Sequence, residues 1–254
     1  VDAMLTTKWD QGGIYGRLCP NGLSGCSNTA AVQIMAYHRH PASLTLTYLD
    51  GGFPLTISID WDGILHHSQG LGSYNAISGT YFCDCGCNYG QISHIMREVG
   101  HRANTDYGPT GSGADELAIR DVLQNLGFGH PIHVENITFS DYQEVIFDEL
   151  DNGNPLYVSG FRDDNKGHAW VIDGYEHTGC TLDYYILLST SGSVPRYIYD
   201  HTMEVERNLL HFNWGWNGSC DGWFGYGVFA PGNGNDYDDG SIDNSDEYNY
   251  NLWI

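Results

Sequence analysis

Cys26 is the residue whose surroundings best suit chemistry. It lies in a short Gly-Cys-Ser turn, directly before a stretch with the spacing of a helix. The N-terminus of a helix carries about half a positive charge, which favours a thiolate over a thiol. Because the thiolate is the nucleophilic form, this position suits a cysteine that attacks a carbonyl carbon. A free cysteine that opens a buried helix is also a common inert core residue, so the interpretation depends on partners elsewhere.

Partners of the types that a cysteine nucleophile needs occur at three further places. His168 opens an apolar strand and could exchange a proton with Cys26. Asn213 ends another strand and is followed by Trp214, so an amide could fix the imidazole ring and an indole could shield it from water. The side-chain amide of Gln11 and the backbone N–H of Cys26 could both donate to an oxyanion. The chain order Cys, His, Asn is that of papain-type cysteine peptidases.

The elements that must position these residues give a helix-rich first half and a strand-rich second half. Apolar residues recur with helical spacing at 29–37, 91–100, 114–126 and 140–150. Runs of β-branched and aromatic residues predict strands at 44–48, 55–59, 131–134, 155–159, 168–174, 183–188, 196–199, 209–213 and 222–225. This order predicts an α+β fold in a single domain over 1–254, mainly helical over 1–130 and mainly β over 131–254.

The charge of the chain argues against some classes of partner. The sequence has 32 acidic and 10 basic side chains, a net charge of −22, which does not suit nucleic acid or anionic membranes. No run of 18 apolar residues is present, so no membrane-spanning helix is expected. The first residues lack the basic and apolar regions of a signal peptide. We therefore expect a processed form whose export signal and pro-segment lie outside this sequence.

The number of cysteines gives a second reason to single out Cys26. Seven cysteines leave at least one that is free or pairs outside the chain, and Cys26 is the candidate. Cys180 and Cys220 both lie in predicted sheet and could pair with each other.

Two segments have compositions that could suit a metal ion. Cys83, Cys85 and Cys87 stand close together, but zinc ligands usually come in pairs separated by two to four residues, so disulfides to other segments are the preferred interpretation. The acidic, glycine-rich segment 231–247 could be a solvated loop, a flap over a site or a calcium site of unusual spacing. We expect neither a metal nor a cofactor to be required.

Five stretches of the chain resemble the streptopain family of papain-like cysteine peptidases. They are Trp-Asp-Gln at 9–11, Gly-Cys and its helix at 25–38, the segment 106–114, Gly-His-Ala-Trp-Val-Ile-Asp-Gly at 167–174 and Asn-Trp-Gly-Trp-Asn-Gly at 213–218. The resemblance implies a papain-like fold of two lobes with a cleft between them. A helical lobe would carry the cysteine, and an antiparallel sheet lobe would carry the histidine and asparagine. Residues 178–207 look like an insertion between the last two stretches.

The resemblance also implies roles for single residues. Cys26 would be the nucleophile and His168 its imidazolium partner. Gln11 would donate to the oxyanion, while Asn213 and Trp214 would hold and shield the imidazole.

The substrate cleft is expected around three small residues. The resemblance places the segment around Ser112 along the cleft, and we expect Gly25 and Gly167, the neighbours of the catalytic pair, to border the substrate. It also places the glycine-rich loop near the C-terminus beside the site, which favours the flap interpretation of 231–247.

The function implied is that of an exported bacterial endopeptidase made as a zymogen, of the kind that acts as a virulence factor. Its location would be secreted, periplasmic or on the cell surface, and its partners would be its own propeptide and protein or peptide substrates. It would cleave peptide bonds through a thioester acyl-enzyme. Two alternatives stay open: a papain-fold amidase or transferase acting on cell-wall or amine substrates, and a non-catalytic surface binding module.

Overall fold

Helices dominate the first half of the chain and a single large sheet dominates the second. The structure is a computed structural model that describes residues 1–49, 54–67, 73–75, 80–82, 90–129, 139–162, 166–189, 195–225 and 250–253. The described elements are, in order, α1 (Gly13–Gly16), α2 (Cys26–His38), β1 (Ser43–Leu46), β2 (Leu55–Ser58), α3 (Trp61–His67), β3 (Ser73–Asn75), β4 (Thr80–Phe82), α4 (Gln91–Arg102), β5 (Asp106–Tyr107), β6 (Ser112–Gly113), α5 (Glu116–Asn125), α6 (Phe139–Asp151), β7 (Leu156–Phe161), β8 (Gly167–Ser189), β9 (Arg196–Asn213), β10 (Gly222–Gly225) and β11 (Tyr250–Trp253). The α+β prediction is therefore confirmed.

Helix α2 lies between the two halves and is buried on nearly all sides. It contains no glycine or proline, and its residues from Ser27 to Ala36 are all buried. Val32 and Met35 pack into the core of the helical half. Ala30 and Ile34 pack instead against β8. A helix that is buried all round holds its first residue in a fixed position, and here that residue is Cys26.

The large sheet is antiparallel throughout, with the strand order β10-β9-β8-β7-β11. His168 lies at the start of β8 opposite Gly160 of β7, and Asn213 ends β9 opposite Val171. Both residues therefore lie at the same end of two neighbouring strands. The apolar side chains of this sheet form a core of their own together with α6.

The four helices predicted from periodicity are confirmed as α2, α4, α5 and α6. The start of α5 shows how local chemistry sets an end of a helix. Asp115 is its N-cap, and the carboxylate accepts hydrogen bonds from the backbone N–H groups of Leu117 and Ala118.

Within the described part of the chain, no helix combines the length and the apolarity required to cross a membrane.

The strand prediction is wrong in one important respect. The stretches 168–174 and 183–188 form one continuous strand, β8, and 196–199 and 209–213 form another, β9. The intervening residues include Thr178, Gly179 and Thr181. The strand is exposed on both faces there, so its residues show no apolar pattern that would predict it. The outer residues of these two strands, 176–189 and 196–208, form a two-stranded extension that we call the ribbon. The predicted strand at 131–134 lies outside the described residues.

Candidate active site

Helix α2 begins at Cys26 itself, so the thiol lies where the first N–H groups of the helix have no intrahelical acceptor. Gly25, directly before it, has φ 92° and ψ 151°, a conformation that residues with a side chain rarely adopt. A Cβ at Gly25 would lie 2.6 Å from the backbone oxygen of Ser112. Two residues expected to border the substrate, Gly25 and Ser112, are therefore in contact with each other.

This contact predicts a large effect of a small substitution. We expect Gly25→Ala to lower the free energy of unfolding by at least about 2 kcal/mol, because the methyl group must displace the Ser112 backbone and the positive φ adds strain. Urea unfolding followed by tryptophan fluorescence measures the change. Gly113→Ala is the matched control, since a Cβ at Gly113 meets no atom within 4 Å. Equal unfolding free energies for the two variants would contradict the close approach.

Gln11 is tied through its backbone to the segment that precedes Cys26. Its carbonyl oxygen accepts hydrogen bonds from the Ser24 N–H at 2.8 Å and from the Ser24 hydroxyl at 3.1 Å. Its own N–H donates to the Asp10 carboxylate at 2.6 Å. Because Ser24 is two residues from Cys26, these bonds hold the Gln11 backbone close to the start of α2.

The loop that carries Ser112 is fixed by Asn21. The Asn21 Nδ2 donates to the Gly108 carbonyl oxygen at 2.7 Å and to the Ser112 hydroxyl at 2.9 Å. The Ser112 hydroxyl is also 3.0 Å from the Leu23 carbonyl oxygen, to which it can donate. The hydroxyl is thus engaged within the protein, and the backbone of this loop is what is left to meet a ligand.

A backbone carbonyl holds one ring nitrogen of His168. Its Nε2 lies 2.9 Å from the carbonyl oxygen of Trp214. Because a carbonyl oxygen only accepts, Nε2 carries the proton in this contact, and the neutral ring has its lone pair on Nδ1. The rings of Trp170, Trp214 and Trp216 lie with their centroids 4.6 to 6.2 Å from the imidazole. Burial lowers the pKa of His168 to about 4.

The Cys26 thiol lies against the strand that carries His168. Its sulfur accepts a hydrogen bond from the backbone N–H of Ala169, and Cys26 and Ala169 pack in the same apolar cluster. Burial raises the pKa of Cys26, and this effect outweighs the hydrogen bonds from Ala169 and Ser27 that lower it. Burial therefore disfavours the charged form of each group taken singly, and the thiolate–imidazolium pair expected from the sequence stays a prediction.

The position of Asn213 corrects an expectation from the sequence. Its Nδ2 donates to the Thr7 carbonyl oxygen at 2.8 Å, and its Oδ1 accepts the Gly215 N–H at 3.1 Å. The side chain thus fixes the turn that begins at Trp214, and it is the Trp214 carbonyl that meets His168. Asn213 therefore acts on the imidazole through the backbone of its neighbour, whereas the sequence suggested a direct contact.

Asp221, which the sequence did not mark as a candidate, also holds the turn that begins at Trp214. The Asp221 carboxylate accepts the Trp214 N–H at 2.8 Å. Burial raises the pKa of Asp221 to about 6, although the Trp214 N–H and a nearby His211 lower it. His211 in turn is 2.6 Å from the buried carboxylate of Asp173, which also accepts the Leu5 N–H at 2.7 Å. No local signal marks Asp221, because its role depends on how the turn folds back on itself.

The third residue expected near the substrate, Gly167, directly precedes His168 and is exposed. A Cβ there would lie 2.9 Å from the ring of Phe161, its partner on β7. A side chain at Gly167 would therefore collide with the Phe161 ring, so this position favours glycine.

The described cysteines are all free thiols, so Cys180 and Cys220, whose pairing the sequence left open, are not bonded to each other. Cys180 lies on the ribbon opposite Val205, and Cys220 lies in the turn after β9.

The predicted flap 231–247 and the cluster of Cys83, Cys85 and Cys87 lie outside the described residues. Among the residues that the structure does describe, no group of three or more His, Cys, Asp or Glu side chains is arranged to hold a metal ion.

Comparison with known proteins identifies the family of the chain. The model of the Peptidase C10 family matches residues 9–224, most of the chain. The chain belongs to the Peptidase C10 family. The matched range contains every residue to which the sequence assigned a catalytic role.

Streptopain from Streptococcus pyogenes is 27% identical to the C10 chain over 262 aligned residues, which cover 91% of this chain and 57% of streptopain. The thiol protease/hemagglutinin PrtT from Porphyromonas gingivalis is 27% identical over 241 residues, covering 88% of this chain and 23% of PrtT. The C10 chain thus spans little more than half of streptopain and about a quarter of PrtT. Among solved structures, a fragment of prointerpain A from Prevotella intermedia has a similar fold, with a TM-score of 0.60 and 24% identity over all of this chain and 70% of that one.

Proposed function

We propose that this C10 chain is a cysteine endopeptidase that cleaves peptide bonds through a thioester on Cys26. One observation carries the proposal: the Cys26 thiol accepts the N–H of Ala169, the neighbour of His168, while the His168 ring is fixed by its Nε2. A nucleophile and a base are thereby held on adjoining elements, α2 and β8. Membership of a peptidase family supports a peptide bond as the group attacked.

The first chemical step is attack on the substrate carbonyl. His168 Nδ1, which bears the lone pair, takes the proton of the Cys26 thiol as the sulfur bonds to the carbonyl carbon. A neutral starting pair suits this order, because burial raises the pKa of the thiol and lowers that of the imidazole. The carbonyl oxygen becomes an oxyanion, and the imidazole becomes an imidazolium stacked beside Trp214.

The oxyanion is stabilised by two donors. The backbone N–H of Cys26 belongs to the first turn of α2, where no intrahelical acceptor is available. We assign the second donor to the side-chain amide of Gln11, whose backbone is bonded to Ser24 beside the start of the helix. A well-placed donor of this kind contributes about 3 kcal/mol to stabilising the transition state.

The remaining steps return the site to its starting state. The imidazolium gives its proton to the leaving amine, the C–N bond breaks, and an acyl thioester stays on Cys26. Water then attacks the thioester, with His168 as the base that accepts its proton, and the thiol and a carboxylic acid are released. Asn213 and Asp221 act as positioning residues, since both hold the turn whose Trp214 carbonyl anchors Nε2.

We further propose a papain-like arrangement in which the substrate lies between the helical half and the end of β8. Gly25, Ser112 and Gly167 would border it. The exposure of Gly167 and the direct contact of Gly25 with the Ser112 backbone support this location.

We also infer that the chain is made by a bacterium with a pro-segment and acts outside the cytoplasm. The bacterial relatives support the bacterial origin. The match to a fragment named prointerpain A supports the pro-segment.

The test compares three substrates and one covalent probe. We expect the wild-type chain to cut unfolded casein at internal bonds and to lose this activity when a thiol-directed epoxide labels Cys26, with the exposed thiol of Cys180 as the internal control in peptide mapping. Preferential release of cell-wall amides, or transfer of the acyl group to an added amine, would identify an amidase or transferase instead. Neither hydrolysis nor an adduct would indicate a binding module.

A further inference from the structure

The ribbon carries most of the exposed apolar side chains that the structure describes. Beyond Tyr175, β8 continues for 14 residues beside β9, a length of about 40 Å. Of the 14 large hydrophobic side chains that are exposed in the described residues, ten lie on the ribbon. A soluble monomer rarely exposes so much apolar surface in one place, and large exposed apolar patches usually mark an interaction surface.

One face of the ribbon is lined by aliphatic pairs. Leu182 lies opposite Met203, and Ile186 lies opposite Ile198. Cross-strand partners point to the same face. The stacked rings of Tyr184 and His201 lie between these two pairs, so this face is mainly apolar. Ile186 and Ile198 are each 51% exposed.

The other face is lined by aromatic side chains. Tyr185 lies opposite Tyr199, with ring centroids 5.8 Å apart, and Leu187 lies opposite Tyr197. Each of these side chains is about half exposed. A two-stranded ribbon is marginally stable in water even when one of its faces is buried, and in this one both faces are apolar and uncovered.

Both edges of the ribbon are open among the described strands. The pairing of β7 with β8 ends at Ile172, and the N-terminal segment extends it only to Tyr175 through hydrogen bonds with Val1. On the other side, β10 pairs with β9 only from Leu209 onward. Rows of backbone N–H and C=O groups along the ribbon are therefore available to a further strand.

We propose that the ribbon is a self-association surface, through which a second copy of this chain pairs to form a two-fold symmetric dimer. Ten half-exposed side chains of about 200 Å² each expose roughly 1,000 Å² per chain on the two faces together, which is of the order of the about 800 Å² that each partner buries in a stable interface. A second ribbon paired edge to edge supplies backbone groups for one of the open edges and apolar cross-strand neighbours on both faces. The interface is isologous, since the same surface serves on both copies.

Charge and hydrogen bonding favour a protein partner over a lipid surface. In hydrocarbon the open edges would leave backbone groups without partners, which costs several kcal/mol for each group. The outer part of the ribbon, residues 182–189 and 196–203, has three charged residues, namely Asp183, Arg196 and Asp200. The whole chain, by contrast, has a net charge of −22. Contact through ribbons about 40 Å long keeps the two acidic bodies apart by more than the Debye length of about 8 Å.

The test measures the mass of the full chain in solution, with Cys26→Ala present to prevent self-cleavage. We expect light scattering after size exclusion to give twice the chain mass of 28.2 kDa at about 100 µM. Adding Tyr185→Glu and Ile186→Glu, one on each face, should weaken the dimer by at least about 100-fold and give the monomer mass. Leu55→Glu is the matched control, because Leu55 on β2 is 53% exposed and lies outside the ribbon; it should leave the dimer intact.

Three results would overturn the proposal. One is a monomer for the parent chain throughout the concentration range, and another is a dimer that the double substitution leaves unchanged. The third is a monomer that sediments with neutral phosphatidylcholine vesicles through the same side chains, which would assign the ribbon to a lipid surface. Circular dichroism of each variant checks that the exposed substitutions leave the fold unchanged.

Discussion

Replacing Cys26 by alanine should lower casein hydrolysis by about 10⁴-fold or more, because it removes the thiol that forms the acyl intermediate. The fold should survive, since the side chain is small and only partly buried. We expect the free energy of unfolding to change by no more than about 1 to 2 kcal/mol. Initial rates on casein and urea unfolding curves measure the two quantities on the same preparation.

The matched control for this substitution is Cys180→Ser. Cys180 is also a free thiol, but it is exposed on the ribbon, far along β8 from the site. It should keep the activity of the parent protein. If Cys26→Ala retained more than a small fraction of the parental rate, or if both variants lost activity equally, the nucleophile would have to be assigned elsewhere.

The second large effect is expected for His168→Gln, which should lower kcat by about 10³- to 10⁴-fold. Glutamine can still donate to the Trp214 carbonyl oxygen, so the anchor is preserved while the base is lost. His101→Gln, an exposed change on α4, is the control and should keep full activity. A His168→Gln enzyme with parental kcat would show that another group accepts the thiol proton.

His168→Gln should also change how the free energy of unfolding depends on pH. His168 has a pKa of about 4 in the folded protein and about 6.5 when unfolded, so the unfolded chain binds the extra proton first. Its contribution to stability is therefore complete above pH 6.5 and is lost as the pH falls towards 4, by up to about 3 kcal/mol.

Urea unfolding at several pH values, with Cys26→Ala present in both proteins, should show this loss only where His168 is present. Asp221 titrates in part of the same range with the opposite sign, because its pKa is raised to about 6. The difference between the two proteins removes the Asp221 effect and isolates His168. Parallel curves between pH 4 and 6.5 would contradict the buried neutral imidazole.

The sequence predicted the parts of the site whose determinants are local. Gly25 followed by an uninterrupted helix fixes where Cys26 stands, and an apolar strand after Gly167 fixes His168. Periodicity and turn residues report such features directly. The segment 213–218 likewise showed that aromatic rings would surround the imidazole.

What the sequence did not predict depends on contacts between distant segments. The acceptor for Nε2 is a backbone carbonyl 46 residues away, and every residue has such a group, so no side-chain pattern marks it. Asn213 was assigned to the ring because its amide could reach it, whereas Thr7 and Gly215 take its hydrogen bonds. The shifts in the pKa values of Cys26 and His168 follow from their burial, which is known only once the chain has folded.

The register of β8 and β9 has a consequence for how this chain could have diverged from its relatives. The pairing is interrupted between Ile172 and Gly174, just beyond the site, before the ribbon begins. Adding residues to both strands in matched pairs keeps each side chain on its own face, so a hairpin can lengthen without moving what lies at its base. The site end of the sheet and its outer end can therefore accumulate sequence changes at different rates, with Gly174 as the boundary between them.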